Sequence, residues 1–331
     1  MIEQAESILE RSSSPVVRYR ILRDVLCKSP DDSRLLNARQ DLDSSSAVQV
    51  LATEQWEDGS WGAFRSMDTN QKQKIRTTEM GVERALALGL DGTHPVLEKA
   101  ASYILKLIQN KIAFPDRPEK NDRWQTGVKL FLSSTLSQIY PKHPILKAER
   151  QLWSDITQRT FASGKYSAKD EIQAHDELTG ATVLDSYLVL GNKYQLNLLG
   201  SIPGMLSPDL EMALLGWIWE RSTGIGYITV QLGGSPPGRS GGFDRWLASL
   251  ELLARLFPSW TNFAGRSIEW IKMHASSDGY WDFGPMPSRL VELPLSDSWR
   301  NRQDRVFDWT TRILALLKKY SSDVSLHHPA D

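Results

Sequence analysis

Apolar residues along this chain recur at three- and four-residue intervals, the spacing of one helix face. In residues 96–110 they stand at 96, 97, 100, 101, 104, 105, 107 and 108. Residues 127–140, 181–190, 246–257, 268–274 and 307–320 carry similar stripes, and each is read as a helix. Strand-like alternation is confined to residues 226–231. Pro95, Pro144, Pro208 and Pro258 fall at the inferred helix boundaries, where a missing N–H costs least.

Between the helices a short motif repeats. Gln55-Trp56-Glu57-Asp58-Gly59-Ser60-Trp61-Gly62 has a second copy in Ser277-Asp278-Gly279-Tyr280-Trp281-Asp282-Phe283-Gly284. Ser163-Gly164-Lys165-Tyr166 and Thr223-Gly224-Ile225-Gly226-Tyr227 are weaker echoes. The glycines at 59, 164, 224 and 279 are separated by 105, 60 and 55 residues. The first interval is about twice the others, so a decayed copy is expected near residue 112, within residues 112–115. Each unit is then two helices and a turn. One such hairpin cannot bury its apolar face alone, so five or six of them must stack, as an open solenoid or a closed ring.

Gln55-x-x-Asp58-Gly59-Ser60-Trp61 resembles the QW motif of squalene–hopene cyclases and their relatives. Asp278-Gly279-Tyr280-Trp281 is similar, with Ala275 where the glutamine would stand. Pro15-Val-Val-Arg-Tyr-Arg-Ile-Leu-Arg-Asp24 is similar to the opening of bacterial terpene-cyclase-like and prenyltransferase-like toroids. The resemblance implies an all-α fold, an α/α toroid, over residues 1–322, with residues 323–331 as a flexible tail. It also implies that Gln55, Trp61 and Trp281 are structural: the glutamine caps a neighbouring helix and the tryptophan stacks on it. The family's catalytic signatures are missing. There is no DxDD and no DDxxD; Asp41-Leu42-Asp43 comes nearest in letters but sits in a polar stretch read as a loop. The zinc site of protein prenyltransferase subunits would need a cysteine that Cys27 is badly placed to supply.

Bulk composition narrows the picture. Lys and Arg number 39 against 40 Asp and Glu, a formal net charge of -1, which gives no electrostatic case for nucleic acid. Cys27 is the lone cysteine, so no intrachain disulfide can form; a reducing, cytoplasmic setting fits, and a buried inert thiol is expected after Val25-Leu26. Residues 186–208 are the least charged stretch, but their glycines and Pro203 argue against a spanning helix and leave only a peripheral membrane contact open. The polar N-terminus is unlike a signal peptide. No cofactor motif and no metal-ligand spacing stand out, and the scattered His94, His143, His274, His327 and His328 add none.

Twelve tryptophans suggest an aromatic-lined pocket. Candidate chemistry clusters at inferred helix starts. Asp122-Arg123-Trp124 and Asp244-Arg245-Trp246 match, and Asp304-Arg305 followed by Asp308-Trp309 is a looser copy. Arg76 precedes another helix, and Asp176 is taken to open residues 181–190 as a helix. The plain reading is that these acids cap helices, with arginines paired and tryptophans packed inside. The functional reading makes Asp176, Asp244 and Asp308 acids in an apolar pocket. Trp124, Trp246 and Trp309 would hold a cationic substrate, and Arg76, Arg123 and Arg245 an anionic group. The glycine-rich stretch at residues 233–242 lacks a phosphate-loop pattern and fits a lid or a linker. Three functions follow: a small terpene-cyclase-like protein acting on or binding an isoprenoid, a non-catalytic lipid- or protein-binding toroid, or a carbohydrate-active (α/α) barrel.

Overall fold

A computed structural model describes residues 1–66, 72–183, 186–238, 242–285 and 292–327. Among these the chain is all-helical, with fourteen α-helices and no strand. In order they are α1 (Ile2–Arg11), α2 (Pro15–Arg20), α3 (Ser33–Asp43), α4 (Ser46–Glu54), α5 (Thr78–Leu88), α6 (Pro95–Ile108), α7 (Trp124–Ile139) and α8 (Lys147–Thr160). Then come α9 (Ala168–Thr179), α10 (Lys193–Leu199), α11 (Pro208–Glu220), α12 (Phe243–Leu256), α13 (Thr261–Met273) and α14 (Arg302–His327). No helix among the described residues is long and apolar enough to cross a membrane.

Local chemistry sets where helices start. Ser14, Asp32, Ser45, Thr77, Ser167 and Ser207 each accept a first-turn backbone N–H at a helix N-cap. Histidines serve similarly: Nδ1 of His94 accepts the Val96 amide, and Nδ1 of His143 the Ile145 amide, each at 3.3 Å. The four expected prolines open α6, α11 and the two 3₁₀ turns Pro144–Leu146 and Pro258–Trp260.

Several expectations need correcting. Residues 181–183 and 186–190 are not helical, and residues 184–185 lie outside the described residues. Gly180, at φ 66, ends α9 in a left-handed cap, and the Glu171 carboxylate and the Arg221 guanidinium then take the Leu190 N–H and C=O. Long-range bonds therefore override the local apolar pattern. Residues 226–231 form isolated bridges only, since Tyr227 and Thr229 have positive φ. Asp41 and Asp43 belong to α3, not to a loop. Cys27 is exposed, turned outward at φ 48. Helix α14 runs on to His327, past residue 322; His328 lies outside the described residues.

The contacts divide the chain into two compact units. One gathers Met1–Glu98, Pro237–Asp244 and Ala264–Asp331; the other gathers Lys99–Pro236 and Arg245–Phe263. In the first, Arg20 and Arg23 donate to the carbonyls of Ala87 and Gly89 at the end of α5, where a helix dipole favours cations. Both arginines also pair with Asp24, so the N-terminal motif ties α2 and the turn after it to α5.

The repeat shows in the turns. Gly59, Gly164, Gly224 and Gly279 all have positive φ, as the marker glycines require. Within residues 112–115 no residue has positive φ; just before them Asn110 does, at φ 54. At all five positions the amide donates to the carbonyl three residues earlier, on Trp56, Leu107, Phe161, Arg221 and Ser276, at 2.8–3.1 Å. The intervals become 51, 54, 60 and 55 residues. Asparagine tolerates this conformation less well than glycine. Asn110→Gly should therefore raise stability by about 0.5–1 kcal/mol, read as a higher urea midpoint at unchanged slope.

Two of the turns match closely in their side-chain bonds. The Trp61 amide donates to Thr78 Oγ1 at 3.2 Å, and its indole Nε1 to the Leu51 carbonyl at 3.0 Å. The Trp281 amide donates to Thr310 Oγ1 at 3.1 Å, and its Nε1 to the Ile271 carbonyl at 2.8 Å. Gln55 Nε2 bonds both Gly59 O within the turn and Val96 O at the start of α6, each at 2.9 Å. Ala275 cannot do this. Its turn is held instead by α1, where Ser7 Oγ meets Tyr280 OH at 2.9 Å.

Candidate functional site

Asp308 is the proposed acid with the most distinctive surroundings. It lies in the second turn of α14 and is fully buried. Oδ2 accepts from the Leu295 amide at 2.8 Å, from Ser296 Oγ at 2.9 Å and from Trp299 Nε1 at 2.6 Å. The Ser296 amide lies 3.1 Å from both carboxylate oxygens. Burial pushes the Asp308 carboxyl up to about 6, against the pull of these donors. Arg84, half-buried in α5, donates to the Pro294 carbonyl in the same loop. Burial lowers Arg84 to about 10, and Asp308 and Glu292 oppose that shift, so it stays charged at neutral pH. Trp299 and Trp309 stand at 6.0 Å, with Arg312 5.8 Å over the Trp309 ring.

The neighbouring candidates in this unit hold the fifth turn. Trp309 is buried and its Nε1 donates to Gly284 O at 3.2 Å. Arg305 makes two 2.9 Å bonds to Asp282, and this pairing holds the Asp282 carboxyl down at about 2. Asp244 is half-buried in the first turn of α12, as expected of a helix start. Arg76 is half-buried just before the Thr77 cap of α5.

The second unit holds the others. Asp176 does not open a helix; it is exposed on the last turn of α9, where water replaces the apolar surround an acid needs. Trp124 opens α7 and packs edge-on against Phe114 at 5.7 Å. Arg123 lines an open cleft beside it. Asp122 does not cap α7; it takes the Thr182 amide at 2.9 Å and hydroxyl at 2.7 Å, bonds that hold its carboxyl below the usual range. Trp246 is fully buried and Arg245 exposed on α12, so adjacent residues point to opposite environments.

The letters gave no sign of a buried polar cluster in this unit. Glu171 accepts from Tyr166 OH at 2.7 Å as well as from the Leu190 amide, and burial raises its carboxyl. Tyr166 stacks on Trp217 at 4.0 Å, with Arg221 4.3 Å over the other ring. His175, fully buried against Trp153, is pulled down to about 4 by desolvation and is neutral at pH 7. Arg84 was missed as well. Tyr166 and Glu171 stand close in the sequence, but their partners Leu190, Trp217 and Arg221 come from much farther along it.

Among the described residues no group of three or more His, Cys, Asp or Glu is placed to hold a metal ion. Compared with protein-family models, curated proteins and solved structures, the chain matches none.

Proposed function

We propose that this chain is an α/α toroid of five helical hairpins, of terpenoid-cyclase type, that binds an isoprenoid ligand in an aromatic-lined centre. One observation carries the reading. Five left-handed turns share one backbone hydrogen bond, and two of them share the same pair of tryptophan bonds. The QW resemblance implies that Trp61 and Trp281 are structural, and their bonds to the Leu51 and Ile271 carbonyls support that. Helix, turn and helix follow one another five times in the chain: α4 and α5, α6 and α7, α8 and α9, α11 and α12, α13 and α14.

Asp308 is the carboxyl that fits an acid. With a value near 6 it is partly protonated close to neutral pH, and it could pass its proton to an alkene carbon while nearby indole faces stabilise the cation. The test is native mass spectrometry and thermal shift with squalene, farnesyl diphosphate and geranylgeranyl diphosphate, followed by product analysis. Binding of one class should raise Tm by mass action. Asp308→Asn should keep that binding and lose turnover at least 100-fold. Full turnover in the variant removes Asp308 from the chemistry, and no binding of any of the three removes the ligand class.

A second reading, binding without turnover, is favoured by the bonding of Asp308 itself. Both its oxygens already accept donors from the chain's own loop. Under that reading the wild type binds an isoprenoid and returns it unchanged.

A further inference from the structure

The Lys99–Pro236 unit contains a cleft unrelated to the acids above. We propose that it binds a neutral saccharide of one or two rings. It is a shallow cleft, open to solvent, with a volume of about 470 Å³. Glu119 and Arg123 line it ahead of α7, Tyr187 and Asn192 line it between α9 and α10, and Tyr227 and Thr229 line it after α11.

An independent observation marks the last of these segments. Tyr227 and Thr229 both have left-handed backbones, at φ 69 and φ 56. For a β-branched threonine this is a strained conformation, and such strain persists only where surrounding structure enforces it, often at ligand clamps. The enforcement is visible. A Cβ on Gly226 would lie 1.5 Å from Asn192 Oδ1, and one on Gly224 would lie 2.0 Å from the Val230 carbonyl oxygen. The loop is thus wound tightly against Asn192, whose Nδ2 donates to the Tyr187 carbonyl at 3.1 Å.

The aromatic wall is rigid. Tyr187 packs edge-on against Phe131 at 5.1 Å and lies so close to α7 that a Cβ on Gly127 would be 2.3 Å from its ring. Its hydroxyl meets Glu119 Oε2 at 3.2 Å. Tyr227 meets Tyr194 edge-on at 5.0 Å, yet remains 48% exposed. Tyr187 and the exposed Tyr227 both line the cleft, and an aromatic ring can receive the C–H side of a sugar ring. The carboxylate, guanidinium, amide and hydroxyl groups around them suit vicinal hydroxyls. One carboxylate and one guanidinium leave the wall without net charge, which favours a neutral ligand over a phosphate.

The experiment is saturation-transfer NMR on the full chain with methyl glucoside, maltose, cellobiose and trehalose, and titration of the best responder. At least one should bind, with a Kd on the order of 1 mM. Tyr227→Ala should weaken it tenfold or more at unchanged Tm, and should leave isoprenoid binding as in the wild type, which separates this cleft from the toroid centre. Thr229→Gly should also weaken the sugar without lowering Tm, because glycine relieves the strain. No transfer from any of the four sugars overturns the proposal. So does an unchanged affinity in Tyr227→Ala, or a fall in Tm in Thr229→Gly.

Discussion

Trp61→Ala should destabilise the protein by about 3–5 kcal/mol, the range for deleting a large buried aromatic. The indole is fully buried and joins α4 to α5 in two ways: through the Leu51 carbonyl and through contact with Gly81. A Cβ on Gly81 would lie 2.4 Å from the ring, so Gly81→Ala should also be destabilising, by about 1–3 kcal/mol through overpacking. Urea unfolding of Trp61→Ala and Trp281→Ala is the direct comparison. The two turns make matching bonds, so their losses should agree within about 1 kcal/mol. A loss below about 1 kcal/mol in either would mean that the turn does not anchor its hairpin.

Asp308→Ala should cost a similar amount, about 3–5 kcal/mol. It removes one acceptor shared by the amides of Leu295 and Ser296 and the indole of Trp299, and leaves those donors buried. The same group sets a pH dependence. Its folded-state value, about 6, lies above the usual 3.8, so the folded chain holds this proton more tightly than the unfolded one. Its contribution is fully present below pH 4 and is lost as the pH rises through 6, by about 3 kcal/mol. Asp282 acts in the opposite sense and in a lower window: held at about 2, it adds stability above pH 4 that falls away as the pH drops toward 2. The difference in unfolding free energy between wild type and Asp308→Asn, followed from pH 4 to 7, isolates the Asp308 contribution. A difference that stays flat across that range would contradict the raised value.

The helices and their repeat were legible because both rest on local rules. Apolar periodicity and a proline at N1 act within one turn of helix, and a left-handed backbone selects glycine at the chain position itself. Asn110 was missed as a marker because asparagine also reaches that conformation, so a search keyed on glycine steps over it. Residues 181–190 failed differently. Ala181, Val183, Leu188 and Leu190 are buried as their apolar character suggests, but Glu171 and Arg221 hold the backbone from elsewhere in the sequence. Asp176 fell with that helix. Asp308 could be picked out by its letters, yet its partners Leu295, Ser296 and Trp299 come from a loop that no periodicity describes. Tyr227 and Thr229 look like a fragment of strand until their φ values are known.

The pairing of α1 with the fifth turn bears on how the chain is made. Gln4 and Ser7 meet Gly279 and Tyr280, and Ser14 bonds the Leu295 carbonyl, so these residues find their partners during synthesis only after more than 270 further residues have been added. Lys99–Pro236 and Arg245–Phe263 form one compact unit whose residues are all made before residue 264, so it can fold while translation continues. The opening helices, with buried Ile8, Val16 and Val17, lack their contacts with α14 until it arrives. Chaperone demand during synthesis should therefore fall on the first hundred residues, and a chain stalled before residue 264 should be held by a chaperone at its N-terminal segment while its middle is already protease-resistant.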